Sequence, residues 1–128
     1  MRMIRLAIVE DNYVYLNALE LYLSRVPDIE VVHITSSLHS ISLLIATRPD
    51  VVIMDIDLGT DSGINGIQPI KEALPRTGVF MLTVFDDKEK MVQSMQAGAS
   101  GYLLKLHSPK KIVEAIRSVH KGESIVSE

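Results

Sequence analysis

Five short, largely apolar runs recur at even intervals along this chain and constrain its fold more than any other feature. They are Leu6-Ala7-Ile8-Val9, residues 30–34, Val51-Val52-Ile53-Met54, Val79-Phe80-Met81-Leu82 and Gly101-Tyr102-Leu103-Leu104. Runs this short and this continuous lack the polar alternation of a strand with one wet face. They suit strands buried on both faces, as in a parallel sheet. Four of them break off on polar side chains: Glu10-Asp11, Asp55, Thr83 and Lys105.

Helical patterns fill the intervals. In residues 12–25, Val14, Ala18, Leu21 and Tyr22 fall at helical spacing, and Pro27-Asp28 closes the segment. Ser36 and Ser37 can cap a helix with Leu38, Ile41, Leu44 and Ile45 on one face, stopped by Arg48-Pro49-Asp50. After Asp55 comes a polar loop over residues 57–63, then a short helix to about Leu74. Pro69 sits inside that helix. An interior proline costs about 3 kcal/mol, whereas one in the first turn is nearly free. The helix is therefore expected to start late, near residues 65–67, or to kink. Asp86-Asp87 opens a fourth helix through Met91, Val92 and Met95, with Gly98 as its stop. Ser108-Pro109 starts a fifth, in which Ile112, Ala115, Ile116 and Val119 line one face before Gly122. Strands alternating with helices predict an α/β fold, a parallel sheet covered by helices on both faces.

Composition narrows the function. At 128 residues the chain is about one domain, with no repeat and no internal linker. Its 47% apolar and 23% charged residues describe an ordinary globule. Without cysteine there is no disulfide framework and no thiolate metal site. A formal charge of −3 argues against a direct grip on nucleic-acid phosphates. The wholly apolar runs fall far below the ~20 residues needed to span a membrane. Met1-Arg2-Met3-Ile4-Arg5 runs on into Glu10-Asp11 rather than into a signal-peptide core, so the expected location is the cytoplasm.

In open α/β sheets, ligands bind outside the carboxyl ends of the strands. The polar strand ends should therefore converge on one rim holding three carboxylates, a hydroxyl and an ammonium. Oxygen donors of this kind suit a hard cation, Mg²⁺ or Mn²⁺. A carboxylate can accept a phosphoryl group as an aspartyl phosphate. A lysine offers a point charge to phosphate oxygens, and a threonine can hydrogen-bond another. Singly, each residue has a plain structural reading: a helix cap, a strand end, a turn, a solvated charge. Together, at four strand ends, they form a phosphoryl-transfer set.

Val9-Glu10-Asp11-Asn12, residues 51–58, Ser62-Gly63, Leu82-Thr83 and residues 97–105 stand in order at the spacing of one family. The chain resembles a response-regulator receiver domain, CheY-like and flavodoxin-like. The Ala-Gly-Ala-Ser-Gly-Tyr-Leu-Leu-Lys stretch is most similar to receivers of LuxR/NarL-type two-component transcriptional regulators. The resemblance implies a (βα)5 three-layer sandwich with a five-stranded parallel sheet in the order 2-1-3-4-5. It implies that Asp55 takes phosphate from a sensor histidine kinase. Asp11 would be the direct Mg²⁺ ligand with Asp55, Glu10 would act through water, and the backbone carbonyl of Asp57 would complete the metal site. Lys105 and Thr83 would bind phosphate, with Thr83 the switch hydroxyl and Tyr102 the aromatic that repacks with it. Residues 1–122 would form the receiver. Residues 123–128 would begin a linker, and a DNA-binding output domain would lie outside this chain. A homodimer on phosphorylation would be one readout.

Other readings stay open at this point. One is a degenerate receiver that works by protein contacts, and another an Asp-nucleophile phosphohydrolase with Asp57 as its second acid. A flavodoxin ranks last, because Glu10-Asp11 would repel a flavin phosphate. Tyr102 is as much a packing residue as a switch. Asp57 and Asp61 read as solvated loop side chains, Met91 and Met95 as core, and Lys110, Lys111, Arg117 and Lys121 as a solvated basic face. His33, His39, His107 and His120 share no ligand spacing.

The chain departs from the family pattern at Gly59, at Thr60-Asp61, which replace residues that are often apolar or small, and at Val84 and Leu106. Gly59 stands where proline is usual, so this loop should be more mobile. Leu106 removes the low-cost cis bond that a proline would permit after Lys105. Val84 is bulkier than the usual small residue and is expected to narrow access to Asp55. Val84→Ala should therefore react faster with acetyl phosphate than the parent chain, followed as the rate of aspartyl-phosphate formation; equal rates would remove that role.

Overall fold

The computed structural model describes residues 2–126. Its elements are β1 (Ile4–Val9), α1 (Tyr13–Leu23), β2 (Ile29–Thr35), α2 (Ile41–Ala46), β3 (Val51–Met54), α3 (Ile64–Ala73), β4 (Gly78–Thr83), α4 (Lys88–Gln96), β5 (Gly101–Leu104), α5 (Pro109–His120) and β6 (Ile125–Val126). All pairs in the main sheet are parallel, and its order is β2-β1-β3-β4-β5-β6. The first five strands thus follow the expected 2-1-3-4-5 order.

The strand residues feed two cores in alternation. Leu6, Ile8, Val51, Ile53, Phe80, Leu82 and Leu103 pack against α1 and α5. Ala7, Val9, Val52, Met54, Val79, Met81, Tyr102 and Leu104 face the opposite side, against α2, α3 and half-buried Met91 and Met95 of α4. This double burial is why the runs carry no polar alternation. Side-chain caps fix where the helices start. The side chains of Asn12, Asp87 and Ser108 accept backbone N–H groups at the first turns of α1, α4 and α5, and Ser37 does so for the short 3₁₀ turn Leu38–Ser40 ahead of α2.

Three sequence expectations need correction. In α1 the buried stripe is Leu16, Leu19 and Leu23, not the one through Val14, Ala18, Leu21 and Tyr22. Those residues face outward, with Val14 at 82% and Leu21 at 60% exposure. The helix is apolar nearly all round, so periodicity alone could not choose the face. Second, α3 starts at Ile64, ahead of the expected window, and runs through Pro69. Pro69 is exposed, so the helix carbonyl left without a proline N–H can turn to water.

Third, the loop after Asp55 is folded. Asp57 pairs with Ser62, and Leu58 with Asp61, in a small antiparallel hairpin. Gly59 adopts φ +77° at its tip. Its backbone freedom thus serves the positive φ that a two-residue hairpin turn demands at its first position. Within residues 123–128, Ile125–Val126 form a sixth strand beside Gly101 and Tyr102. The end of that stretch, residues 127–128, lies outside the described residues. Among the described residues there is no cis peptide bond, the Lys105–Leu106 bond included, and no helix is long and apolar enough to cross a membrane.

The reassigned face of α1 has a direct test. Leu19→Ala should cost about 2–5 kcal/mol of unfolding free energy in urea titrations, as a truncated core leucine does. Leu21→Ser should stay within about 0.5 kcal/mol of the parent chain.

Candidate functional site

The sheet register brings the polar strand ends together. Glu10 extends β1 by one residue, its N–H donating to the Thr35 carbonyl at 3.0 Å. Asp55 extends β3, donating to the Val9 carbonyl at 2.9 Å, and Lys105 extends β5, donating to the Thr83 carbonyl at 2.8 Å. The three side chains meet outside the carboxyl edge of the sheet. Lys105 Nζ lies 2.7 Å from Glu10 Oε1 and 3.0 Å from Asp55 Oδ2. Glu10 is 3% and Asp55 4% exposed, so these are desolvated ion pairs.

The remaining carboxylate oxygens are also held. Glu10 Oε2 accepts the Asn12 N–H at 3.0 Å, and Asp55 Oδ1 accepts the Asp57 N–H at 3.3 Å. Asp11 is exposed, and one carboxylate oxygen from each of Glu10, Asp11 and Asp55 lies within 4.8 Å of the others. Three hard oxygen donors around one point, one of them open to solvent, fit a hard divalent cation.

The electrostatics follow from burial. Desolvation pushes the Glu10 carboxyl up to about 6; its bonds from Lys105 and the Asn12 amide offset part of this, and the Asp55 charge adds to it. Burial pulls the Lys105 ammonium down, but its bonds to Glu10 and Asp55 more than compensate and hold it above its ordinary value. One cation against three carboxylates leaves the bare site with excess negative charge.

Thr83 and Tyr102 converge on a third residue. The fully buried Thr83 Oγ1 accepts the Phe85 N–H at 3.1 Å, while Tyr102 Oη donates to the Phe85 carbonyl at 2.6 Å. The loop after β4 is thus gripped at both polar groups of one residue. Val84, just before it, is 69% exposed. Asp57 stands apart from the cluster, because its exposed carboxylate accepts the Gly59 N–H at 3.3 Å within its own hairpin. Asp61 likewise serves its own loop, accepting from the Ser62 N–H and Asn65 Nδ2. Gly63 closes the hairpin against the site, where a Cβ would fall 1.8 Å from the Asp55 carbonyl oxygen. Only glycine lets the two backbones approach so closely.

Sequence reasoning misses two residues. Phe85 acts through its backbone, which leaves no mark in residue type. Tyr15 places its ring centroid 4.7 Å from Lys105 Nζ. Its signal is present in the sequence: an Asn12 cap puts Tyr15 in the first turn of α1, beside Glu10-Asp11.

The raised Glu10 predicts a pH-dependent cost. The carboxyl binds its proton more tightly in the folded chain than at its ordinary 4.5, so its stabilising share is full below about 4.5 and lost as pH rises through about 6. Glu10→Gln should therefore gain about 2 kcal/mol over the parent at pH 8 and show no gain at pH 4, measured by denaturant unfolding without divalent cations.

Comparison with known proteins agrees with this geometry. A family model described as the response regulator receiver domain matches residues 6–117. The transcriptional regulatory protein YxjL of Bacillus subtilis is 42% identical over 85 residues, which is 66% of this chain and 39% of that protein. The oxygen regulatory protein NreC of Staphylococcus epidermidis is 31% identical over 124 residues, covering 95% of this chain and 57% of its own length. Among solved structures, a LuxR-family two-component response regulator from Aurantimonas sp. SI85-9A1 superposes with a TM-score of 0.89 at 25% identity, covering 96% of this chain and 89% of that one. The chain spans less than three-fifths of the length of these two curated relatives. With the family model covering most of its length and LuxR/NarL-type regulators among its relatives, the chain belongs to the response-regulator receiver family.

Proposed function

We propose that Asp55 is the phosphoacceptor of this receiver and that a sensor histidine kinase is its phosphodonor. The observation that carries the reading is the Lys105 ammonium bridging Asp55 and Glu10, with the Asp11 carboxylate beside them. An Asp55 carboxylate oxygen attacks the phosphorus of the kinase phosphohistidine. The P–O bond forms as the P–N bond breaks, and the electron pair returns to the imidazole nitrogen. Such transfer depends on positioning and charge compensation more than on acid–base chemistry.

The cation would be Mg²⁺, or Mn²⁺, which Asp11, Asp55 and the Asp57 backbone carbonyl would hold, with Glu10 acting through water. Bound there, it supplies positive charge against the phosphoryl oxygens. The chain's own residues do the rest. The Asp57 amide and Lys105 orient the Asp55 carboxylate. Lys105 then exchanges its Glu10 contact for a phosphoryl oxygen. The Thr83 hydroxyl turns from the Phe85 amide toward another phosphoryl oxygen, and the loop it releases repacks with Tyr102. This is a population shift between two arrangements, biased by the added charge.

The activity is that of a switch rather than of an enzyme acting on a small molecule. Asp57, the second acid that a phosphohydrolase would use, is engaged in its own hairpin turn. The cell compartment is the cytoplasm. The readouts are pairing with a second copy on phosphorylation and control of transcription through a DNA-binding domain outside this chain.

Beryllofluoride with Mg²⁺ tests the reading, followed by ¹⁹F NMR. The parent chain should give a bound signal that Asp55→Asn loses entirely. A signal that survives Asp55→Asn would move the acceptor elsewhere. No signal from the folded parent, and no phosphorylation by acetyl phosphate, would make this a degenerate receiver acting through protein contacts.

A further inference from the structure

The Lys105 side chain carries a mobile charge on a flexible four-carbon stem, yet its nitrogen sits within 3.0 Å of two carboxylates. Those carboxylates take two of its three N–H donors. The face of Tyr15 lies 4.7 Å from the same nitrogen, well inside the range over which an ammonium is attracted to an aromatic ring. We propose that Tyr15 is a positioning residue for Lys105, its ring serving as a platform over which the ammonium turns between Glu10 and a phosphoryl group on Asp55. The proposal rests on the reading of Asp55 as phosphoacceptor.

The platform is itself fixed. The Tyr15 amide donates to Asn12 Oδ1 at 3.1 Å, which sets the first turn of α1. The half-buried ring packs against the core formed by α1, α5 and the sheet. The phenol remains neutral at physiological pH, because burial, and then the charges of Glu10 and Asp55, push it up to about 12. The ring therefore acts through its quadrupole.

Carboxylate contacts are directional, and exchanging one for another would otherwise take the ammonium through solvent. A ring face attracts a cation from a broad cone of positions. It can hold the charge while Lys105 trades one oxygen for another. This gives Tyr15 a role in phosphoryl binding without any contact with the phosphoryl group.

The test separates ring from hydroxyl. Tyr15→Phe keeps the ring face, while Tyr15→Leu and Tyr15→Met remove it at different shapes, so that one folded variant suffices. Two readouts are taken on each folded protein: the ¹⁵N signal of the Lys105 ammonium without metal, and the beryllofluoride affinity with Mg²⁺. Tyr15→Phe should match the parent in both. The ring-less variants should broaden or shift the Lys105 signal and lose roughly three- to tenfold in affinity. Ring-less variants equal to the parent would overturn the proposal, as would a Tyr15→Phe loss as large as theirs, which would assign the effect to the hydroxyl. If the parent forms no adduct, the Asp55 reading fails, and the Lys105 signal still decides whether Tyr15 positions the ammonium.

Discussion

Two carboxylates buried at the ends of neighbouring apolar strands would repel each other and forgo their hydration. Lys105 between them makes that arrangement tenable. Its ammonium reaches both Glu10 and Asp55, and its own burial is offset by those two contacts. Removing Lys105, the one cation of the set, leaves two buried carboxylates uncompensated, far more costly than losing an exposed ion pair. The compensation is incomplete, because Asp11 adds a further negative charge. The fold therefore holds a site that is poised for a cation, and burial, with the Asp55 charge beside it, holds the Glu10 carboxyl above its ordinary value. Everything that positions the three residues, from the strand register to the close Gly63–Asp55 approach, serves this one balance.

The sheet and the loop after β4 are held by different means. The two cores hold the sheet on both faces, and a bidentate pair from Arg117 to Asp28 ties α5 to the turn before β2. The loop after β4 is held far less, chiefly by two hydrogen bonds at Phe85. Thr83 and Tyr102 start from different strands and reach the same residue. The two side chains thus hold one loop through the backbone of one residue.

Much of this is legible in the sequence, for a physical reason. Strands buried on both faces must be apolar throughout, so a polar residue marks where each one leaves the core. Glu10, Asp55, Thr83 and Lys105 are therefore readable as strand ends from residue type alone. Helix starts are equally readable at Asn12, Asp87 and Ser108, where a capping oxygen is required. The face of α1 is not, since Val14 and Leu21 are as apolar as the buried Leu16 and Leu19. The hairpin at residues 57–62 is hidden in polar loop composition, and only Gly59 hints at its turn. Phe85 is invisible because its backbone does the bonding. The start of α3 lies one residue ahead of the expected window, which leaves Pro69 beyond the first turn, on the exposed face of the helix.

The register irregularity of β2 has a consequence for how this chain behaves among its copies. An open parallel sheet ends in strands whose outer amides and carbonyls invite another chain to pair. On one side Ile125 donates to the Ser100 carbonyl at 2.9 Å and covers part of β5 with a strand two residues long. On the other side β2 carries a register irregularity opposite Leu6 and Ala7, with exposed Glu30 nearby. A bulge at the β2 margin breaks the even row of amides and carbonyls that an added strand would need. The β2 margin is thus a poor template for strand addition.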